Sequence, residues 1–191
     1  RSAAAARSRP VRAARRRPPS NCRRRSARRI DMTHQAFVAL GANLDDPAAQ
    51  VRAAFAALDR LPQTRLVAAS SLYRTAPIGL AGQPDFINAV AEVATGLAPE
   101  ALLDALLTTE AGFGRVRAEK NGPRTLDLDL LLYDELTLDR PRLHLPHPRL
   151  HLRAFVVAPL AEIAPDCRIP GRGTVAAWLP AVATQRIERL R

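Results

Sequence analysis

The segment Leu126-Asp127-Leu128-Asp129-Leu130 alternates apolar and acidic residues without a break. Alternation at period two marks a β-strand with one buried face, because successive side chains of a strand point to opposite sides. The three leucines then enter a core and both aspartates share the other face. At a rise of about 3.3 Å per residue their Cα atoms lie roughly 6.6 Å apart. Two carboxylates this near repel, and proton sharing, cationic side chains or a metal ion relieves the repulsion. Hard oxygen donors at this spacing suit Mg²⁺, which takes one or two carboxylates and completes its shell with water and phosphate. The competing reading is the half-solvated face of an ordinary strand, where acidic residues are common.

The rest of the chain supplies partners for that strand. Ala36–Leu40 is a short apolar strand running into Gly41. Asp46-Pro47 gives a cap and a proline at the first helical position. Val51, Phe55 and Leu58 recur at helical spacing, so 47–61 reads as an amphipathic helix ended by Pro62. Leu66–Arg74 reads as a strand, 75–84 as a loop with two Pro and two Gly, and Phe86–Thr95 as a strand. Pro99 opens a second helix reaching Phe113, with Leu102, Leu103, Leu106 and Leu107 on one face. Gly114–Arg124 is polar and basic, which predicts a mobile loop. After the 125–133 strand, Asp134-Glu135 turns into Leu136–Leu138, and 139–153 reads as a loop rich in Pro, His and Arg. Phe155–Ile163 predicts a short helix, and Val175–Leu179 the start of another. The order β-α-β-β-α-β with C-terminal additions predicts an α+β sandwich of the ferredoxin-like kind, with helices on one face of an antiparallel sheet.

Charge is segregated. Residues 1–31 hold 12 Arg and one acid, Asp31, and so account for the whole net charge of +11. The remaining 160 residues balance 17 basic against 17 acidic side chains. The basic pI therefore describes a tail and gives the body no argument for nucleic-acid binding. The tail has no apolar periodicity and is expected to be disordered, leaving one domain over 33–191. Three readings of the tail compete: a nucleic-acid arm, a transit peptide, and sequence translated from upstream of a start at Met32, the only methionine. The longest apolar run, Ala154–Ala161, is eight residues and contains Pro159, whereas a membrane span needs about 20. Cys22 and Cys167 have no partner at metal or redox spacing, so a reducing, cytoplasmic setting is expected.

From Arg115 to Arg153 there are eight basic residues, and three of the four histidines fall in the same window. Arginine suits bidentate phosphate binding. A carboxylate pair bracketed by basic loops matches what a Mg²⁺-polyphosphate needs, anions for the metal and cations for the phosphates. There is no P-loop, protein-kinase signature or nucleophile elbow, and Gly41-Ala42-Asn43 is not a dinucleotide fingerprint.

The segments FVALGANL (37–44), SSLYRTAPIG (70–79), QPDFINAV (83–90), GRVR (114–117), GPRTLDLDLLLY (122–133) and LPHPRLHLRAFVVAPLAEIAP (145–165) resemble the 6-hydroxymethyl-7,8-dihydropterin pyrophosphokinase family. The likeness runs from about Ala36 to Trp178, in order. It implies transfer of the β,γ-diphosphate of ATP to the hydroxymethyl group of the pterin, releasing AMP, with two Mg²⁺ ions held by Asp127 and Asp129. It implies a pterin pocket of Thr75, Ile78, Phe86, Asn88 and Phe155, with the two phenylalanines stacking on the ring. On the ATP side it implies Glu110, Arg117, Leu130, Arg142, His147 and Arg153, with Arg115 and Arg124 stabilising transition-state charge. His147 is expected to donate to phosphate and not to act as a base. Core packing is the competing reading for both phenylalanines, and a simple turn for His147. The sequence departs from the family at several points: Phe86 stands where Tyr is frequent, 118–121 is one residue shorter than in some members, Lys120-Asn121 replaces Arg-Trp, Pro148 replaces an aromatic and His144 a hydroxyl residue. Small-molecule substrates, no membrane, no nucleic acid for the body and a monomer complete the expectation. Two readings compete with it: a nucleic-acid-binding ferredoxin-like module with a basic arm, and a non-catalytic relative serving as a scaffold.

Overall fold

The computed structural model describes residues 34–77, 82–115 and 122–190. The tail, Ile78, Arg117 and the short 118–121 segment lie outside the described residues.

The centre is strand β1 (His34–Ala42), paired antiparallel with β4 (Phe86–Thr95) on one side and β5 (Asp127–Tyr133) on the other. Strands β2 (Thr64–Ala69) and β3 (Tyr73–Thr75) pair with successive stretches of β4. Counting β2 and β3 as one interrupted strand, this is the expected ferredoxin-like arrangement. Residues 66–74 nevertheless do not form the single strand that their composition suggests. The chain breaks at Ser70, whose amide donates to the Val90 carbonyl (2.9 Å) while its hydroxyl accepts from the Val90 amide (2.9 Å). A side-chain oxygen thus replaces a ladder carbonyl and shifts the register.

Helices α1 (Pro47–Leu58) and α2 (Pro99–Gly112) cover one sheet face. Asp46 caps α1 by accepting from the Ala49 amide (3.0 Å). Leu40, Leu58, Leu102, Leu106, Leu126 and Leu128 fill the space between. The alternation of β5 holds as far as Leu130 and then breaks. Phe37 pairs with Leu132 and Val38 with Leu130, so Leu131 is an extra residue in a β-bulge. Leu131 and Leu132 both pack into a second core with Phe37, Val90, Val156 and Leu160.

That second core belongs to α3 (Ala154–Ile163), which lies on the sheet face opposite α1 and α2. The expectation of helices on one face therefore holds for the first two only. α3 is apolar enough to need its own side of the sheet, and it covers about half of it. The uncovered half is where β5 presents its aspartates.

The 139–153 segment also differs from the expected loop. Its first part is a hairpin, β6 (Leu138–Arg140) and β7 (Leu143–Leu145), followed by a 3₁₀ turn at Leu150–Leu152. Leu143 and Leu145 are buried and flank exposed His144, a period-two pattern hidden among Pro, His and Arg. The hairpin is held to α2 by Arg140–Glu100 (2.5 Å) and Arg142–Asp104 (2.6 Å). After α3 come a small hairpin, β8 (Arg168–Ile169) and β9 (Gly173–Thr174), a 3₁₀ turn at Ala176–Trp178 where a helix start was expected, and a one-turn α4 (Leu179–Val182). Strand β10 (Glu188–Arg189) then joins the free edge of β3. Glu162 on α3 accepts from the Ser71 amide (3.1 Å), the Ser71 hydroxyl (2.8 Å) and the Tyr73 hydroxyl (2.9 Å), and pairs with Arg189 (2.6 Å). One carboxylate thus joins α3, β3 and β10.

Leu106 has no exposed surface. Leu106→Ala should cost about 2–5 kcal/mol of unfolding free energy, measured by urea denaturation. A loss below about 1 kcal/mol would show that α2 is not held by this packing.

Candidate active site

The uncovered half of the α3 face forms a cavity of about 300 Å³. Its floor is the sheet. Asp129 pairs in register with Ala39, Asp127 with Gly41, and Gly41 in turn with Asn88 of β4. The small residues on β1 leave the room. A Cβ on Gly41 would lie 3.2 Å from the Asn88 side-chain oxygen and 4.0 Å from the Asp127 Cβ.

The two aspartates share this face, as their spacing predicts, and their surroundings differ. One Asp127 oxygen accepts from Arg115 Nη1 and the other from Arg124 Nη1 (2.5 Å). Asp129 makes no hydrogen bond or ion pair with any described residue. Burial, then the charge of Asp127, push its carboxyl up to about 6, with Arg153 opposing. Beneath them sits Glu110, buried at 2 % exposure, at the end of α2. It accepts from Arg115 Nη1 and from the Leu128 amide (2.7 Å), and so fixes both the guanidinium and the strand carrying the acids.

Asn43 positions Arg124. Its side-chain oxygen accepts from the Arg124 amide (2.8 Å), and its own amide donates to the Arg124 carbonyl (3.1 Å). Its NH₂ group reaches Gln83 Oε1 and the Pro84 carbonyl (3.2 Å each). A residue at the end of β1 thus ties down two loops that border the cavity.

The far end of the cavity is less charged. Asn88 Nδ2 donates to the Thr75 hydroxyl (2.9 Å), and both residues are buried. Phe86 and Phe155 line the same space, with the Arg124 guanidinium 5.5 Å from the first ring centroid and that of Arg153 5.4 Å from the second. This end offers two aromatic rings and a fixed amide.

A second depression of about 250 Å³ adjoins the first, lined among others by Leu103, Leu130, Arg142 and His144. The two share Asp129, His147 and Arg149. Burial and the charges of Arg153 and Arg149 push His147 down to about 4, so its ring is neutral near pH 7. Its Nδ1 accepts from the Arg149 amide (3.3 Å), which leaves Nε2 as the nitrogen that carries hydrogen.

Of the residues expected from the sequence, the first cavity gathers Thr75, Phe86, Asn88, Arg115, Arg124, Asp127, Asp129, His147, Arg153 and Phe155. Leu130 and Arg142 line the second depression. Glu110 reaches neither wall and acts from below. Sequence reasoning missed Gly41, Asn43 and Arg149. The Gly41-Ala42-Asn43 tripeptide was visible, but Asn43 finds its partners 40 and 81 residues away, and no local pattern encodes that.

The donor set is open and made of oxygen: two carboxylates, with no cluster of three or more His, Cys, Asp or Glu among the described residues. Such a set fits Mg²⁺ arriving with a polyphosphate better than a closed protein cage. An RNA-binding sheet would instead expose aromatics on its central strands, where β1 and β5 carry Ala39, Gly41 and the acids.

The sequence pattern of one family, described as 7,8-dihydro-6-hydroxymethylpterin-pyrophosphokinase (HPPK), matches residues 37–165. A Pseudomonas aeruginosa protein named 2-amino-4-hydroxy-6-hydroxymethyldihydropteridine pyrophosphokinase is 52% identical over 159 residues, covering 83% of this chain and 98% of that protein. Its namesake from Haemophilus influenzae is 43% identical over 155 residues, covering 81% and 97%. Among solved structures, wild-type Plasmodium falciparum HPPK-DHPS with pterin and p-hydroxybenzoate superposes with a TM-score of 0.63 at 13% identity. That match covers 82% of this chain but only 46% of the other, so the chain spans less than half of the solved protein, and the likeness concerns the fold alone.

The Asp129 environment sets a pH signature. A carboxyl raised to about 6 holds its proton more tightly folded than unfolded, so its contribution to stability falls as pH climbs from about 4 to about 6. His147, lowered to about 4, contributes in the opposite direction as pH climbs towards about 6.5. Asp129→Asn removes the first contribution only. The unfolding free energy of the variant minus that of the parent, from urea titrations without metal, should therefore rise across that window. A difference independent of pH would contradict a buried, repelled Asp129.

Proposed function

The chain belongs to the 7,8-dihydro-6-hydroxymethylpterin-pyrophosphokinase family, and from that premise we propose how its residues divide the work. The enzyme transfers a diphosphate group from ATP to 6-hydroxymethyl-7,8-dihydropterin, a step of folate biosynthesis. The observation that carries the division is the pair Asp127 and Asp129 on one sheet face, with Arg115 and Arg124 seated on the first of them.

The pterin lies between Phe86 and Phe155 at the apolar end of the cavity. Asn88, held by Thr75, reads the donor and acceptor edge of the ring, and Ile78 belongs to the same pocket on the family likeness. The nucleotide occupies the second depression, with Leu130, Arg142, His147 and Arg153 as contacts and Arg117 added from the family likeness. Its polyphosphate runs towards the acids. Asp127 and Asp129 hold Mg²⁺, two ions on the family likeness. When bound, the metal neutralises phosphate charge and lowers the pKa of a coordinated hydroxyl, so that no strong side-chain base is required.

The chain's own part is placement and charge. The pterin hydroxymethyl oxygen forms a bond to the β-phosphorus of ATP while the bond from that phosphorus to the oxygen bridging to the α-phosphorus breaks. AMP leaves with the bridging oxygen, and the proton of the attacking hydroxyl passes to solvent water. Arg115 and Arg124 both bond Asp127; with Mg²⁺ held by that carboxylate they would be free to turn to phosphate. Glu110 keeps Arg115 within reach during that exchange. Neutral His147 donates from Nε2 to phosphate and leaves the acids undisturbed. Holding two substrates in line this way replaces an encounter in solution with a positioned reaction. In this reading the enzyme acts in the cytoplasm as a monomer.

The test is an assay with ATP, the hydroxymethyl pterin and varied Mg²⁺. It should yield AMP and no ADP, and chelation should stop it. Asp127→Ala and Asp129→Ala should each lower turnover about a thousandfold or more with the circular dichroism of the parent. ADP as the product would refute the reaction, and near-parental rates in either variant would refute the metal assignment.

A further inference from the structure

The two depressions meet at three side chains: Asp129, His147 and Arg149. Any ligand that extends from one into the other passes between them. In the proposed reaction that ligand is a polyphosphate, and at this point it meets one acid, one imidazole and one guanidinium. His147 spends Nδ1 on the Arg149 main chain and has a single N–H to give. Among the described residues, Arg149 is thus the one full positive charge at the crossing.

It is also uncommitted. Among the described residues, four guanidiniums line the first cavity: Arg115, Arg124, Arg149 and Arg153. Arg115 and Arg124 bond Asp127, and Arg153 lies over Phe155 beside Asp129. The Arg149 side chain makes no hydrogen bond or ion pair with any described residue. It follows directly on the Pro146-His147-Pro148 turn, whose backbone is fixed by the His147 amide donating to the Leu131 carbonyl (2.8 Å). An exposed cation on a fixed stem, at the mouth between two cavities, is arranged to receive an anion and not to brace the fold.

We propose that Arg149 is a substrate-contacting residue, whose guanidinium grips the polyphosphate where it passes from the nucleotide depression into the pterin cavity. This rests on the function proposed above and adds a contact to it. Arg149 serves nucleotide binding and leaves the pterin end alone, which Phe86, Asn88 and Phe155 line on the far side.

The experiment uses the full chain with Arg149→Gln and Arg149→Lys. Binding of inorganic triphosphate and of α,β-methylene ATP, each with Mg²⁺, is measured by calorimetry, and pterin binding by fluorescence. Losing one charge-assisted contact should weaken both phosphate ligands about ten- to a hundredfold in Arg149→Gln. Arg149→Lys, which keeps the charge and loses the fork, should recover part of that. Pterin affinity should stay at the parental value. Parental triphosphate affinity in Arg149→Gln would overturn the proposal, and so would an equal loss of pterin and triphosphate binding, which marks a structural effect. If the parent makes no AMP, the enzymatic reading fails separately, while the triphosphate measurement still decides whether Arg149 binds polyphosphate.

Discussion

The mutual repulsion of Asp127 and Asp129 governs much of this structure. A strand that turns two acids to the same side must answer their charge, and here the answer is divided. Asp127 receives two guanidiniums, while Asp129 makes no hydrogen bond with any described residue and is discouraged from ionising. The arrangement is costly for an isolated protein and favourable for one that receives divalent cations with its substrate. Glu110 adds a third acid below, yet it is satisfied by Arg115 and a strand amide and does not compete for the ligand. Arg115 and Arg124, from the segments before β5, are therefore counterions to Asp127 in this structure.

Space matters as much as charge. Ala39 and Gly41 occupy the positions on β1 that face the aspartates, and α3 stops short of them. Larger residues there would fill the floor of the cavity, and a longer cover would roof it. The bulge at Leu131 lets β5 send its first half to the ligand side and its second half to the core beneath α3. One strand thereby serves as both wall and support.

The strand order and the acid pair were legible because they rest on local patterns: alternation in 126–130 and helical spacing in 47–61 and 99–113. The aromatic end was implied by the family resemblance alone, since Phe86 and Phe155 are distant in the chain and each reads locally as core. What escaped rests on distant or unpatterned contacts. The break at Ser70 depends on a hydroxyl finding the Val90 amide across the sheet. The Leu143–Leu145 strand was hidden by prolines and arginines that suggested a loop. Asn43 entered the sequence reading only within a tripeptide that is no dinucleotide fingerprint, and it is a clamp on Arg124. Glu110 was assigned to the nucleotide by likeness, whereas its position beneath the cavity makes it a support for Arg115. The placement of α3 on the opposite face was not encoded in element order at all.

Glu162 has a reach beyond its own contacts. It grips Ser71 and Tyr73 on one side and Arg189 on the other, and Tyr73 sits two residues before Thr75, which steadies the Asn88 amide. The shape of the Thr75–Asn88 edge of the cavity is therefore underwritten by a splint outside the cavity lining. Sequence drift in the last strand becomes a way of adjusting the cavity edge without changing a residue that lines it.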